Sequence, residues 1–235
     1  MDKMEQAAGW EAVLQRLKKD AMTRSANASN GQATEMDGTS REKPEQLGIH
    51  RRFQGITFST IEARGIPASA DIMRNYEIVK DYADNLKKNV EGGIGMILAG
   101  RYGTMKTTMA VAVLRRWIDG KHSGLLVPMC SLIDNLFSLK TLNREEMAKY
   151  ENKISKTPLL VLDDLGGENT DQGWVLSKVD AIITERYNRM LPTIITTNLD
   201  KNELAETYSG RILDRLRSTS VYLSFFSESQ RRAME

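Results

Sequence analysis

The run Gly100-Arg101-Tyr102-Gly103-Thr104-Met105-Lys106-Thr107 constrains this chain more than any other stretch. A glycine, four variable residues and a Gly-Lys-Ser/Thr ending form a loop whose backbone N–H groups cradle phosphates. Here Met105 stands where the last glycine belongs. An apolar strand candidate, Gly95 to Ala99, precedes the loop, and an apolar helical pattern, Thr107 to Ile118, follows it. That setting puts the phosphates at a helix N-terminus, where orphan N–H groups favour anions. Lys106 is predicted to reach the β- and γ-phosphates of ATP, and Thr107 to hold Mg²⁺ through its hydroxyl. The backbone of Gly100, Gly103, Thr104, Met105 and Thr108 completes the predicted nucleotide loop. A Cβ at Met105 is expected to crowd the β-phosphate or to resist the dihedrals that glycine adopts there.

The rest of the composition bounds what such a loop belongs to. The 235 residues, 40% apolar and 27% charged, suit one soluble domain plus a tail. A net charge of +2 sets up no global basic field, so any DNA contact must come from local patches. No stretch approaches the roughly 18 apolar residues of a membrane span, and the N-terminus has no signal-peptide core. Cys130, the single cysteine, rules out an internal disulfide framework and is expected to be buried near a strand end. With His50 and His122 distant from it, no structural zinc site is expected. The chain reads as cytoplasmic, with no membrane partner.

Along the chain, residues 1–24 are predicted to hold an amphipathic helix, with Trp10, Val13, Leu14, Leu17 and Ala21 on one stripe. Residues 25–46, rich in Ser, Asn, Gly, Thr and Glu, read as a flexible linker. The helix is then either a partner-capturing arm, the favoured reading, or an element that folds back onto the main domain. The domain spans 47–235. Phe53, Ile56 and Phe58 read as an extended entry. Ser69 caps a long predicted helix carrying Ile72, Tyr76, Val79, Ala83, Leu86 and Val90, ended by Gly92-Gly93. Strands are predicted at Gly95–Ala99, Gly124–Met129, Leu159–Leu162, Thr193–Thr197 and Val221–Phe226, with helices near 107–118, 131–142, 173–190 and 202–217. Short apolar strands alternating with helices predict an α/β fold: a five-stranded parallel sheet with helices on both faces.

Three further segments carry chemistry. In Pro158-Leu159-Leu160-Val161-Leu162-Asp163-Asp164, an apolar strand ends in two carboxylates, costly unless they meet a cation. Asp163 is the natural partner of Mg²⁺ beside Thr107, and Asp164 a general base for water; alternatively both acids cap the next loop. Thr196-Thr197-Asn198 ends another strand, and Asn198 would orient the water against the γ-phosphate if the two strands are neighbours. As a plain alternative, Asn198 only forms a turn. Arg211, Arg215 and Arg217, with Arg231 and Arg232 beyond, are candidates to reach a neighbouring subunit's γ-phosphate, or form a solvated face paired with Asp214.

In this order, the phosphate loop, LLVLDDLGGEN, PTIITTNL and SGRILDRLR resemble the AAA+ ATPases, and more narrowly the DnaC/DnaI-type replicative helicase loaders and the related IstB transposition ATPases. The resemblance covers roughly residues 50–232. It implies that Asp163 and Asp164 are the Walker B pair, Asn198 sensor 1, Arg215 the arginine finger, and Arg232 (or Arg231) the sensor 2 arginine. It implies catalysis by Lys106, Asp164, Asn198 and Arg215, with slow, assembly-dependent ATP hydrolysis, since Asp164 stands where many relatives carry Glu. The implied partners are a DnaB-type replicative helicase held by the N-terminal arm, single-stranded DNA, and further copies or an AAA+ initiator. Phe137 with Lys140 and Arg144, and Trp174, are the candidate DNA-stacking residues. No helical lid domain is expected after the last strand. The expected function is ATP-dependent loading of a hexameric helicase onto single-stranded DNA, with a transposition helper or a non-hydrolysing ATP-binding scaffold as alternatives.

Overall fold

A computed structural model describes residues 47–167 and 173–230. The predicted arm, linker, Arg231 and Arg232 lie outside the described residues. Within them the elements run α1 (Phe58–Arg64), α2 (Ala70–Asp84), α3 (Leu86–Glu91), β1 (Gly95–Gly100), α4 (Lys106–Asp119), β2 (Gly124–Pro128), α5 (Met129–Leu142), α6 (Arg144–Lys156), β3 (Leu159–Leu165), α7 (Gly173–Asn188), β4 (Thr193–Thr197), α8 (Lys201–Thr207), α9 (Gly210–Thr219) and β5 (Ser220–Phe225).

The five strands form one parallel sheet in the order β2-β3-β4-β1-β5. Successive strand side chains point to opposite faces, and here both faces are dry. Met96 and Leu98 join one hydrophobic cluster with α2 and α4, while Ile97 and Ala99 join the other with α5, α7 and α9. This is why the strands read as nearly continuous apolar runs. The outer edge of β2 is partly covered by the start of the domain: the Leu126 N–H donates to the Leu47 carbonyl at 2.9 Å, and Leu47 and Ile49 are buried.

Four local predictions need correction. The entry segment is not extended: a 3-10 turn, Arg51–Phe53, leads to α1, where Thr57 and Thr60 form a capping box. Phe58 and Ile61, three apart, are both buried, a helical spacing that the Ile56/Phe58 alternation obscured. The long helix breaks at Asn85, whose ψ of 23° ends α2 before α3 restarts. The helix predicted at 202–217 is two, because Asp200 caps α8 with Glu203 and the chain leaves the helical region at Tyr208. Finally Cys130, expected in the interior, is exposed in the first turn of α5. Helix α6 escaped prediction because Ile154 is its only fully buried residue, too narrow a stripe to register; Asn143 starts it by accepting from the Glu145 and Glu146 N–H groups.

Candidate nucleotide site

Three strands, β1, β4 and β3, end side by side, and the strand order places β4 between the other two. The phosphate loop leaves β1 at Gly100 and enters α4 at Lys106. Three of its residues have positive φ: Gly100 at 126°, Gly103 at 75° and Met105 at 70°. Met105 therefore adopts the left-handed conformation that glycine would take, at a cost of roughly 1–2 kcal/mol. Its side chain is partly buried and packs against the cluster shared by α2 and α4, which offsets part of that cost.

Lys106 is buried at the mouth of this loop. Its ammonium donates to the Gly100 carbonyl (2.6 Å), the Arg101 carbonyl (2.6 Å) and Asn198 Oδ1 (2.9 Å). Thr104, also buried, donates its hydroxyl to the Arg101 carbonyl at 2.7 Å and stiffens the turn. Thr107, one residue into α4, donates to Asp163 Oδ1 at 2.8 Å.

The acidic pair sits in a β-bulge. Leu162 pairs with Ile195 and Leu165 with Thr197, so β3 spends three steps where β4 spends two. Asp164 takes up the extra residue with a φ of 62°. A bulge re-aims side chains that would otherwise alternate strictly between faces. Asp163 consequently meets Thr107 and Thr196, whose hydroxyl donates at 2.6 Å, while Asp164 accepts from Asn198 Nδ2 at 2.5 Å. The orientation of the Asn198 amide is fixed by its neighbours, since its oxygen must face the ammonium and its nitrogen the carboxylate.

The result is a ring that polar contacts run round, closed by the peptide bond between Lys106 and Thr107: Lys106 to Asn198, Asn198 to Asp164, the Asp164 N–H to the Thr196 hydroxyl at 2.9 Å, then Asp163 and Thr107. The conditional prediction that the Asn198 strand lies beside the Asp163 strand thus holds in the sheet. Thr196, which the sequence offered only as part of a polar tip, is the link between the two halves. Residues Thr107 and Asp163 supply hard oxygens, and no cluster of three or more His, Cys, Asp or Glu stands ready for a metal among the described residues. That sparse donor set fits Mg²⁺, which keeps several waters and takes the remainder from phosphates.

Arg215 is elsewhere. Its guanidinium donates to Thr184 Oγ1 at 2.6 Å, approaches Asp180 at 3.4 Å and stacks 5.8 Å from the Tyr187 ring centre. Arg211 pairs with the same Asp180, and not with the Asp214 that the alternative reading of a solvated face named. Arg215 borders a cavity of about 340 Å³ lined also by Gly93, Thr193 and Ser220, the starts of strands rather than their ends. It is therefore at the opposite edge of the sheet from Lys106 of its own chain. In the same region Arg186, 1% exposed, donates to the Ile154, Thr157 and Pro192 carbonyls and the Thr193 hydroxyl, and burial pushes its pKa down to about 9.

Two of the DNA candidates, Phe137 and Trp174, lie together, while the Lys140 side chain is outside the described residues. Phe137 on α5, 55% exposed, meets Trp174 on α7 edge-to-face with ring centres 6.2 Å apart, and Lys178 lies 5.9 Å from the Trp174 ring centre. Lys178, which the sequence did not single out, is a cation beside this aromatic pair, and its ammonium also donates to Glu151 Oε1 at 2.5 Å.

Sheet order, phosphate loop and strand-end acids together define an α/β P-loop nucleotide-binding protein of the AAA+ type. The family described as IstB-like ATP binding protein matches residues 80–235, and the chain belongs to it. It is 26% identical over 170 residues to the replicative helicase loader DnaI of Bacillus subtilis, covering 71% of this chain and 52% of that protein. It is 24% identical over 190 residues to the replicative helicase loader DnaC of Escherichia coli, covering 78% of this chain and 72% of that protein. The crystal structure of the DnaC helicase loader superposes with a TM-score of 0.63 at 28% identity, over 74% of this chain and 99% of that one. The chain thus spans about half the length of the DnaI that it matches.

Proposed function

We propose that this protein binds and slowly hydrolyses ATP, and that nucleotide state gates the delivery of a hexameric replicative helicase to single-stranded DNA. The observation that carries the nucleotide half is the polar ring joining Lys106, Asn198, Asp164, Thr196, Asp163 and Thr107. The loader half is supported by the names of the relatives above, which favour it over transposition.

In this reading Lys106 and the loop N–H groups hold the phosphates. Thr107 and Asp163 would hold Mg²⁺, which neutralises phosphate charge when bound. Asp164 accepts a proton from the attacking water as its oxygen forms the new P–O bond and the bond to ADP breaks. Asn198, fixed between Lys106 and Asp164, orients that water. Arg215, at the far edge of the sheet, acts in this scheme on a neighbouring subunit's nucleotide rather than its own. The Phe137–Trp174 pair with Lys178 offers a stacking platform for DNA bases. Residues 1–46 would grip the helicase.

A pull-down with the cognate hexameric helicase, using the full chain and the chain lacking residues 1–46, tests this. Capture by the full chain alone, strengthened by ATP, supports the loader. Capture independent of residues 1–46, or none, overturns it. Steady-state hydrolysis with and without single-stranded DNA separates an enzyme from a non-hydrolysing scaffold.

A further inference from the structure

The segment that follows β5 does not leave the sheet freely. Asp71, in the first turn of α2, accepts from the backbone N–H of Phe226 (2.7 Å) and of Ser227 (3.0 Å), and also from the Ser227 hydroxyl. One turn further along the same helix face, fully buried Asn75 donates to the Ser224 carbonyl at 2.7 Å. Two side chains of α2 thus hold the chain on either side of Phe225.

Held in this way, the segment runs along the phosphate loop. The Arg101 N–H donates to the Phe225 carbonyl at 3.1 Å, and the Gln230 N–H donates to the Gly103 carbonyl at 2.9 Å. Between them Ser229 lies so close to Gly103 that any Cβ there would run into its side chain. The pairing of β1 with β5 is therefore continued beyond the strands by contacts between the loop and residues 225–230. Gly103, with a φ of 75°, is both the turn of the loop and the seat of this segment.

We infer that residues 226–230 form a strap that couples the phosphate loop to α2, with Asp71 as its latch, so that ATP binding and strap attachment reinforce one another. The reasoning is linkage. The Gly103 carbonyl keeps its Gln230 partner only in a loop conformation that seats the strap, so whatever holds the strap down favours that conformation. Two sites that bias one two-state element must influence each other equally. Asp71 is a positioning residue here; it stands on α2, outside the phosphate loop. The inference rests on ATP binding at Gly100–Thr107.

Two full-length variants test it: Asp71→Asn, which removes the charge from the latch, and Gln230→Pro, which deletes the N–H given to Gly103. The readouts are ATP affinity and backbone hydrogen exchange over residues 224–230. Each substitution is expected to weaken ATP about tenfold, within the range of allosteric couplings, and the double variant no more than the weaker single one. In the wild type, ATP should slow exchange in 224–230; in Asp71→Asn it should not. A merely structural Asp71 would instead give additive losses and leave the ATP-dependent protection in place, and either result overturns the strap. Unchanged affinity in both single variants does the same. A wild type that fails to bind ATP would sink the nucleotide-site reading itself, and the strap with it.

Discussion

Thr196 donates its hydroxyl to Asp163 at 2.6 Å while its oxygen accepts the backbone N–H of Asp164 at 2.9 Å, so one threonine on β4 aligns both acids of β3. Replacing it with the near-isosteric Val removes both contacts and nothing of the packing. Loss of such a supporting partner typically costs about 10–100-fold in metal affinity. Thr196→Val should therefore weaken Mg²⁺-dependent ATP binding by that order, with little change when Mg²⁺ is chelated. Titration of a fluorescent ATP analogue with and without Mg²⁺ checks this.

Met105→Gly exchanges a left-handed non-glycine residue for one that adopts it freely. About 1–2 kcal/mol of backbone strain is relieved. A partly buried methionine is lost, a comparable penalty in the opposite direction. Thermal stability should therefore move little, whereas the loop gains freedom to follow the phosphates. ATP affinity is expected to rise about tenfold, equivalent to ~1.4 kcal/mol, and the hydrolysis rate with it. Fast turnover by the wild type would count against Met105 as the residue that restrains the site.

Phe137→Ala should weaken single-stranded DNA binding by about 1–3 kcal/mol, the usual worth of a stacked base. Its salt dependence should be unchanged. Lys178→Ala should instead flatten the salt dependence. Fluorescence anisotropy across a salt series separates the two effects, and indifference of both variants would remove this platform from the DNA path.

The loop motif, the alternation of strands with helices and the paired acids were legible in the sequence because each is written in consecutive residues. Met105 could be seen to be out of pattern, but not that its side chain would turn into the cluster beside α2. What stayed hidden depends on tertiary neighbours. The Asp163-Asp164 bulge exists only against the register of β4. The pairing of Arg215 with Thr184 and Asp180 needs α7 beside α9. Asp71 reads as an ordinary first-turn acid until the segment after β5, more than 150 residues later, is laid across it.

Arg186 is the strongest example of such hidden structure. Its four partners are three carbonyls and a hydroxyl, with no carboxylate among them. Arg186→Ala would strip the guanidinium from these buried acceptors, at about 1–3 kcal/mol for each one left unpaired, before any cavity term. The protein should lose on the order of 3 kcal/mol or more, read as a lowered urea midpoint. An unchanged midpoint would mean that water replaces the guanidinium without cost.

Acid should undo the Asp71 contacts. Partial burial pushes its carboxyl up, but the Ser227 hydroxyl and the N–H groups of Phe226, Ser227 and Ile72 outweigh it and hold it below the ordinary aspartate value. A carboxyl depressed in the folded state contributes stability that is present above its unfolded pKa and is lost as pH falls through the folded one. The difference in urea midpoint between wild type and Asp71→Asn should thus be steady near neutrality. It should shrink below pH ~4, where aspartate normally titrates. A gap that persists at lower pH would show that the charge is not what stabilises the contact.

Because β4 lies between β1 and β3, Lys106, Asn198 and Asp163 meet only once the middle of the sheet has closed. No fragment carrying the phosphate loop alone, and no sheet in which β1, β4 and β3 are not yet paired, presents the whole ring. If ATP binds as proposed, it is a ligand of the finished fold only, and such a ligand stabilises the fold by about 2.7 kcal/mol at a hundred times its dissociation constant. In a cell well supplied with nucleotide, the molecule that this protein handles would also help to keep it folded.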